Sequence, residues 1–400
     1  MNGATSKKVS VRDLDLSGKR VFVRVDFNVP VEAGRVADDL RIRASLPTVG
    51  LILNRGGRPV LASHLGRPRA TSNKDFSLLP VAQRLGSLLE LPVRFAPDCV
   101  GPDAEKASGA LASGEVLLLE NLRFHPGEEK NDPHFAAQLA RLADAYVNDA
   151  FGSAHRAHAS VAALCSHFRP AAAGLLMERE IDCLGALLGN PARPYLAILG
   201  GAKVADKVGL IRNLLPRVDA FLIGGAMAYT FLAAGKVPVG SSKVEQANVP
   251  VAAEILESAA RAGVKILLPV DHRVAPSVEK PGEGELVSGR SIPEGLMGLD
   301  IGPETAAAFA REIAPAGTVL WNGPMGVFER PPFDAGSRSV AEAIVAGRAL
   351  SVAGGGDTAA ALGRFGLAER FSHVSTGGGA SLEFLSGLIL PGVAALTDRS

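Results

Sequence analysis

Along most of the chain one pattern returns. A short aliphatic or β-branched run leads into a glycine-rich or polar turn, then into an alanine- and leucine-rich stretch of helical length. In the second half the runs are "YLAILGGAK" (195–203), "AFLIGGAM" (220–227), "TVLWNGPMG" (318–326), "ALSVAGGGDT" (349–358) and "HVSTGGGAS" (373–381). In the first half they are "RVFVRVDFNVP" (20–30), "PVLASHLGRP" (59–68), "VLLLENLRFHP" (116–126) and "AYVNDAFGSAHRAH" (145–158). Runs apolar at nearly every position are strands covered on both faces, and helices between them make the strands parallel. A chain of 400 residues is too long for one ordinary core. The expected fold is α/β, with two doubly wound parallel-sheet, Rossmann-like domains.

The stretch "GLLMEREIDCLGALLGNPARP" (174–194) lies between the two sets of strands. Leu176, Ile181, Leu184, Leu187 and Leu188 recur at helical spacing, and Gly189-Asn190-Pro191 stops the helix. The expected organisation is a first domain over 1–174, a connecting helix and hinge over 175–193 and a second domain over 194–386. The stretch 278–295, "VEKPGEGELVSGRSIPEG", reads as a polar surface excursion.

Ligands of open parallel sheets bind beyond the carboxyl ends of the strands. In the second half those ends are nearly bare backbone: Gly200-Gly201, Gly224-Gly225, Gly323, Gly354-Gly355-Gly356 and Gly377-Gly378-Gly379. In the first half they carry Asp26, Asn28, His64, Arg67, Arg123, His125, His155 and Arg156. Exposed amides at helix N-termini bind phosphate, helped by the helix dipole. Asp357, directly after three glycines, would repel phosphate unless a cation lay between them. Mg²⁺ held by one carboxylate and several phosphate oxygens meets that need. Lys203 and Lys207 stand at i and i+4, on one face of the helix that the glycine pair opens. Arg41, Arg67, Arg123 and Arg156 could converge on a small polyanion, which guanidinium recognises in bidentate fashion. Blander alternatives remain open for each feature alone: tight turns for the glycines, a solvated face for the lysines, surface ion pairs for the arginines.

Other classes are excluded or disfavoured. A net charge of +1 argues against a nucleic-acid partner. No apolar run approaches the ~18 residues of a membrane span, and the first residues lack the apolar core of a signal peptide. Cys99, Cys165 and Cys183 are odd in number and fit no zinc spacing, which points to reduced thiols in a cytoplasmic protein. No P-loop, protein-kinase signature or dinucleotide-binding glycine fingerprint is present.

The segments "RVDFNVP", "RIRASLPT", "ASHLGRP", "LLENLRFHPGEE", "VNDAFGSAHRAH", "LGGAKVADK", "WNGPMGVFE", "AGGGDTAAAL" and "STGGGASLEFL" follow one another over nearly the whole chain. In order and spacing they resemble the phosphoglycerate kinase family. The resemblance implies reversible phosphoryl transfer between 1,3-bisphosphoglycerate and MgADP, giving 3-phosphoglycerate and MgATP. It also implies Mg²⁺ with the nucleotide, a monomer, no nucleic-acid or membrane partner, and a cytoplasmic location. By this resemblance Asp26, Asn28, Arg41, His64, Arg67, Arg123 and Arg156 form the 3-phosphoglycerate site. Gly201, Lys203, Lys207, Asn322, Glu329, Gly354, Gly355, Gly356, Asp357 and Thr358 belong to the nucleotide site, Glu329 at the ribose and Asp357 at the metal. Gly378 and Gly379 give amides to the transferring group. The family's C-terminal tail returns to the first domain, and 387–400, with "LPGVAAL", looks like that tail. Ala226 replaces a frequent glycine near the adenine slot, His272 and Arg273 stand where apolar residues are common, and Leu388 replaces a frequent lysine.

Phosphoryl transfer needs positioning and charge stabilisation more than a covalent partner. Arg41, Lys203, Gly378 and Gly379 are therefore expected at the moving group. No general base is needed, because the acceptor carboxylate is already ionised, so the histidines orient substrate. Water must be excluded, which makes domain closure an expected part of the chemistry. A catalytically inactive nucleotide-binding scaffold of the same fold would lack Arg41, Lys203 or Asp357. A dehydrogenase would need the missing dinucleotide fingerprint.

Overall fold

The computed structural model describes residues 7–68, 74–279, 282 and 284–399. The chain divides into two compact units, Met1–Asp182 with Ile389–Ser400, and Cys183–Leu388. The division falls inside the helix Leu175–Leu188, which ends where Gly189, Asn190 and Pro191 follow.

In the first unit a six-stranded sheet has the spatial order Val93–Ala96, Val116–Leu119, Arg58–Ala62, Arg20–Arg24, Ala145–Asn148, Ala171–Ala173. Every pairing is parallel. The strands are buried at consecutive positions because helices cover both faces. One core lies between the sheet and the helices Leu40–Asn54 and Leu79–Leu89, joining Val21, Val23, Val49, Ile52, Val81 and Leu85. The C-terminal residues close on this unit. Val9 N donates to Thr397 O at 2.9 Å, Lys8 Nζ meets Asp398 Oδ1 at 2.6 Å, and Gly392 N donates to Ala154 O at 2.8 Å. Leu390, Val393 and Leu396 are buried there, whereas Leu388 and Ile389 are exposed.

In the second unit the sheet order is Lys265–Leu267, Ala220–Ile223, Tyr195–Leu199, Thr318–Asn322, Leu350–Gly354, His373–Val374, again all parallel. Counted along the chain from Tyr195, this is the order 3-2-1-4-5-6 of the Rossmann sheet. The direction of winding reverses between Tyr195–Leu199 and Thr318–Asn322. A crevice opens at such a reversal, because the two flanking connections leave to opposite faces of the sheet.

The second unit also contains a three-stranded antiparallel sheet of Glu285–Ser288, Asp271–Ala275 and Met297–Ile301. Part of the stretch read as a polar excursion is thus its edge strand, exposed at most positions. His272, fully buried, donates from Nε2 to Arg290 O at 3.0 Å and packs 5.6 Å from the Tyr229 ring. A histidine where apolar residues are common therefore pins the loop following that edge strand. Asp271 caps the helix Pro303–Ile313 by accepting from Glu304 N and Thr305 N, each at 2.8 Å.

Candidate functional site

At the winding reversal of the second unit lies a cleft of about 340 Å³. Gly200, Gly201, Lys203 and Lys207 line it after the first central strand, and Asn322 and Gly323 after the second. Gly355, Gly356, Asp357 and Thr358 open the helix Gly356–Phe365, and Gly378 and Gly379 open Gly379–Leu385. These include most of the nucleotide-site residues expected from the sequence. Two lie apart from its lining. Gly354 ends a buried strand, where an added β-carbon would lie 3.2 Å from Asn322 Nδ2, and Glu329 is exposed outside the cleft. Ala226 is also outside the lining and packs with Tyr229 and Leu232.

The glycines divide by cause. A β-carbon at Gly200 would strike the Pro324 carbonyl oxygen, and one at Gly225 would strike the backbone of Gly201. These glycines exist because three turns press backbone against backbone. Gly356 and Gly379 would meet nothing within 4 Å. Both line the open cleft, so close approach by a ligand is what a side chain would obstruct there. Gly355 and Gly378 adopt φ of +92° and +55°, conformations that the turn into each helix requires.

At the foot of the cleft the Lys207 ammonium is buried and donates to Asn322 Oδ1. Burial lowers its pKa to about 8, although the nearby carboxylates of Asp206 and Asp357 act in the opposite direction. Asn322 Nδ2 is buried with no hydrogen-bond partner among the described residues. An orphaned amide donor beside a desolvated ammonium fits an anionic oxygen. The Thr358 hydroxyl is already engaged, accepting from Gly323 N at 2.7 Å, which couples the two turns. Lys203 and Asp357 are exposed at the mouth. The exposed Asp357 carboxylate, next to a phosphate-sized cradle, fits Mg²⁺, which takes few protein ligands and completes its shell with phosphate oxygens and water.

Sequence reasoning missed Glu245, which shapes this loop. Its Oε2 accepts from Val204 N at 2.6 Å and Ala205 N at 3.2 Å, tying down the turn between Lys203 and Lys207. Gly200 and Gly323, read from the sequence as ligand-facing strand ends, join the lining, as does Asp206, which sequence reasoning did not single out.

In the first unit the polar residues gather beyond the carboxyl ends of the central strands. Arg41, near the start of Leu40–Asn54, places Nη1 3.2 Å from Asp26 Oδ2 and 3.3 Å from Asn28 O. Asn28 Oδ1 accepts from Gly66 N at 2.9 Å, and Arg123 Nη1 donates to Gly66 O at 2.6 Å. Arg123 Nε also lies 3.2 Å from Glu129 Oε1, at ion-pair distance but without hydrogen-bond alignment. Arg156 Nε donates to His155 Nε2 at 3.1 Å. Asp26, Asn28, Arg41, Gly66 and Arg123 are thus one connected set, while Arg67 is exposed beside it. Burial, followed by the charges of Arg24, Arg123, His158 and Arg41, drives the His64 pKa well below the usual imidazole range. Burial, followed by the charges of Arg24, Arg123, Arg156 and His155, lowers His158 to about 4. An imidazole held neutral among guanidiniums presents a donor without adding another charge.

A phosphate-sized cradle with an exposed carboxylate on one unit, and an arginine-rich anion site on another, agree with the comparisons. The family model described as phosphoglycerate kinase matches residues 11–388. A curated phosphoglycerate kinase of Moorella thermoacetica is 55% identical over 392 residues, covering 98% of this chain and 100% of the relative. That of Solibacter usitatus is 55% identical over 396 residues, covering 98% and 99%. The solved phosphoglycerate kinase of Coxiella burnetii superposes with a TM-score of 0.88 at 39% identity, covering 97% of this chain and 98% of that one. The enzyme of Pyrococcus horikoshii gives 0.86 at 34% identity over the same shares. No described helix is long and apolar enough to cross a membrane. With motifs, fold and relatives agreeing over nearly its full length, the chain belongs to the phosphoglycerate kinase family.

Proposed function

We propose that this chain catalyses reversible transfer of the acyl phosphate of 1,3-bisphosphoglycerate to MgADP, giving 3-phosphoglycerate and MgATP. The observation that carries the reading is the foot of the second unit's cleft, where the buried Lys207 ammonium adjoins an unpartnered Asn322 amide below two bare glycine turns. Such a cradle is built for phosphate oxygens. The family supplies the substrate pair.

In the forward direction a terminal phosphate oxygen of ADP attacks phosphorus, the bond from phosphorus to the acyl oxygen breaks, and the electron pair leaves on the carboxylate. Both oxygens are ionised at pH 7, so no side chain has to move a proton. The protein's work is to hold and to neutralise. Lys207, Asn322 Nδ2 and the amides of Gly356 and Thr358 bind the nucleotide phosphates. Lys203 and the amides of Gly378 and Gly379 meet the charge that spreads over the moving group, with Arg41 contributing from the substrate side. Asp357 would hold Mg²⁺, whose charge offsets that of the phosphate oxygens. Glu329 bonds the ribose hydroxyls, while Gly354 supports Asn322 from behind. Asp26, Asn28, His64, Arg67, Arg123 and Arg156 orient 3-phosphoglycerate. None of the three cysteines is in a disulfide, and we place the enzyme in the cytoplasm as a monomer.

A coupled assay with 3-phosphoglycerate and MgATP, omitting each in turn, tests the reaction; turnover of MgATP without 3-phosphoglycerate would overturn it. Contacts made chiefly in the transition state lower kcat, whereas uniform binding contacts raise KM. Lys203→Ala and Arg41→Ala are expected to lose roughly 10²-fold or more in kcat, about 3 kcal/mol. Arg67→Ala should act mainly through KM for 3-phosphoglycerate. The reverse pattern would show the roles to be misassigned.

A further inference from the structure

Arg24 ends the central strand Arg20–Arg24 of the first unit and is fully buried, a costly place for a charge. Its nearest partners are not carboxylates. Nε donates to Ser160 Oγ at 2.8 Å, Nη1 donates to Val25 O, and Nη2 lies 3.2 Å from His64 Nδ1. Compensation arrives one residue further on. Ser160 Oγ donates to Glu128 Oε1 at 2.6 Å and Ser160 N to Glu128 Oε2 at 2.9 Å, and Glu128 is itself fully buried. A continuous chain of hydrogen bonds thus runs from the Glu128 carboxylate through the Ser160 hydroxyl and the guanidinium to the imidazole.

The chain has only one consistent set of proton positions. A guanidinium can only donate, so His64 Nδ1 must accept, and the ring proton must sit on Nε2. The Ser160 hydroxyl accepts from Arg24 and therefore spends its own proton on Glu128. A second proton on His64 would set N–H against N–H. The groups facing His64 are Arg24, Arg123, His158 and Arg41, none of which favours a charged ring.

We infer that Arg24, held by Ser160 and Glu128, is a positioning residue that fixes His64 as a neutral imidazole with its proton on Nε2. His64 then meets an anionic substrate as a hydrogen-bond donor and carries no proton to or from it. The part concerning substrate rests on the function proposed above; the tautomer does not. A neutral donor adds a directed bond while leaving the repulsion among the arginines unchanged. It also keeps substrate affinity flat across neutral pH.

The test is ¹⁵N-resolved imidazole NMR on the ligand-free full chain, which reads tautomer and titration without turnover. The expected spectrum shows His64 protonated on Nε2 and titrating only well below the ordinary imidazole range. A spectrum with the proton on Nδ1, or titration near pH 6.5, overturns the inference. Arg24→Met should mix the tautomers and raise the midpoint of His64 by at least one pH unit; an unchanged His64 in a folded variant also overturns it. The wild-type spectrum decides even if that variant does not fold. Affinity for 3-phosphoglycerate supplies the second arm. His64→Gln, whose amide nitrogen replaces Nε2–H, should stay within about threefold of wild type. His64→Asn, whose nitrogen replaces Nδ1, should lose tenfold or more, as expected for a donor to a charged group. Equal losses in both refute the donor role. If the wild-type tautomer is as stated but 3-phosphoglycerate does not bind, the proposed function fails while the tautomer assignment stands.

Discussion

Replacing Lys207 with methionine removes a buried ammonium and keeps most of the side-chain volume. In the free protein burial lowers the pKa of this group from 10.5 to about 8. A difference of about 2.5 units corresponds to about 3 kcal/mol of destabilisation when the group is charged. Below pH 8 both folded and unfolded chains carry the proton, so the cost is fully present. Between pH 8 and about 10.5 the folded chain releases the proton and the unfolded chain keeps it, so wild-type stability rises across that window. At pH 7 the variant escapes this cost but loses the hydrogen bond to Asn322 Oδ1, which offsets roughly 1.5–2 kcal/mol. The net expectation is a variant about 1–2 kcal/mol more stable than wild type at pH 7, with the advantage gone by pH 10.5. Urea titration at the two pH values measures this, followed by fluorescence of Trp321. This tryptophan is the chain's only one, fully buried next to Asn322, and reports on the second unit. MgADP affinity should fall at least tenfold in the variant, so stability and binding move in opposite directions. A stability difference that is the same at pH 7 and pH 10.5 would refute the reasoning.

Asp357→Asn keeps the shape of the cleft mouth but removes its carboxylate. MgADP binding should weaken while 3-phosphoglycerate affinity stays within about twofold, by calorimetry; unchanged MgADP affinity would reduce the glycine run before Asp357 to a turn. Because phosphate restores the charge on Lys207, wild-type MgADP affinity should decline above pH 8, and a flat profile to pH 9.5 would remove Lys207 from the phosphate site. Gly200→Ala drives a β-carbon into the Pro324 carbonyl oxygen and should cost about 1–3 kcal/mol or more, whereas Gly356→Ala, with open space at its β-carbon, should fold normally and lose nucleotide affinity. Equal stability losses in these two variants would erase the distinction between packing glycines and ligand-facing glycines.

The parallel sheets were legible in the sequence because burial on both faces leaves a local mark, apolar residues at consecutive positions with helical stretches between. The glycine-rich ends of "YLAILGGAK" and "ALSVAGGGDT" were legible for the same reason, since turn chemistry depends on neighbours a few residues away. Strand order was not. Main-chain hydrogen bonds between strands carry no side-chain label, yet that order puts Tyr195–Leu199 beside Thr318–Asn322 and so creates the crevice that gathers Lys207, Asn322 and Asp357. The exposed edge strand Glu285–Ser288 was missed because a strand paired on one side and wet on the other leaves little apolar signal. Arg24 lies within the run "RVFVRVDFNVP", which marks a strand but carries no sign of the partners of this residue. Only tertiary structure brings Ser160, Glu128 and His64 around it from 136, 104 and 40 residues away. Buried polar groups are satisfied by partners distant in the chain, so their roles are decided where the chain meets itself.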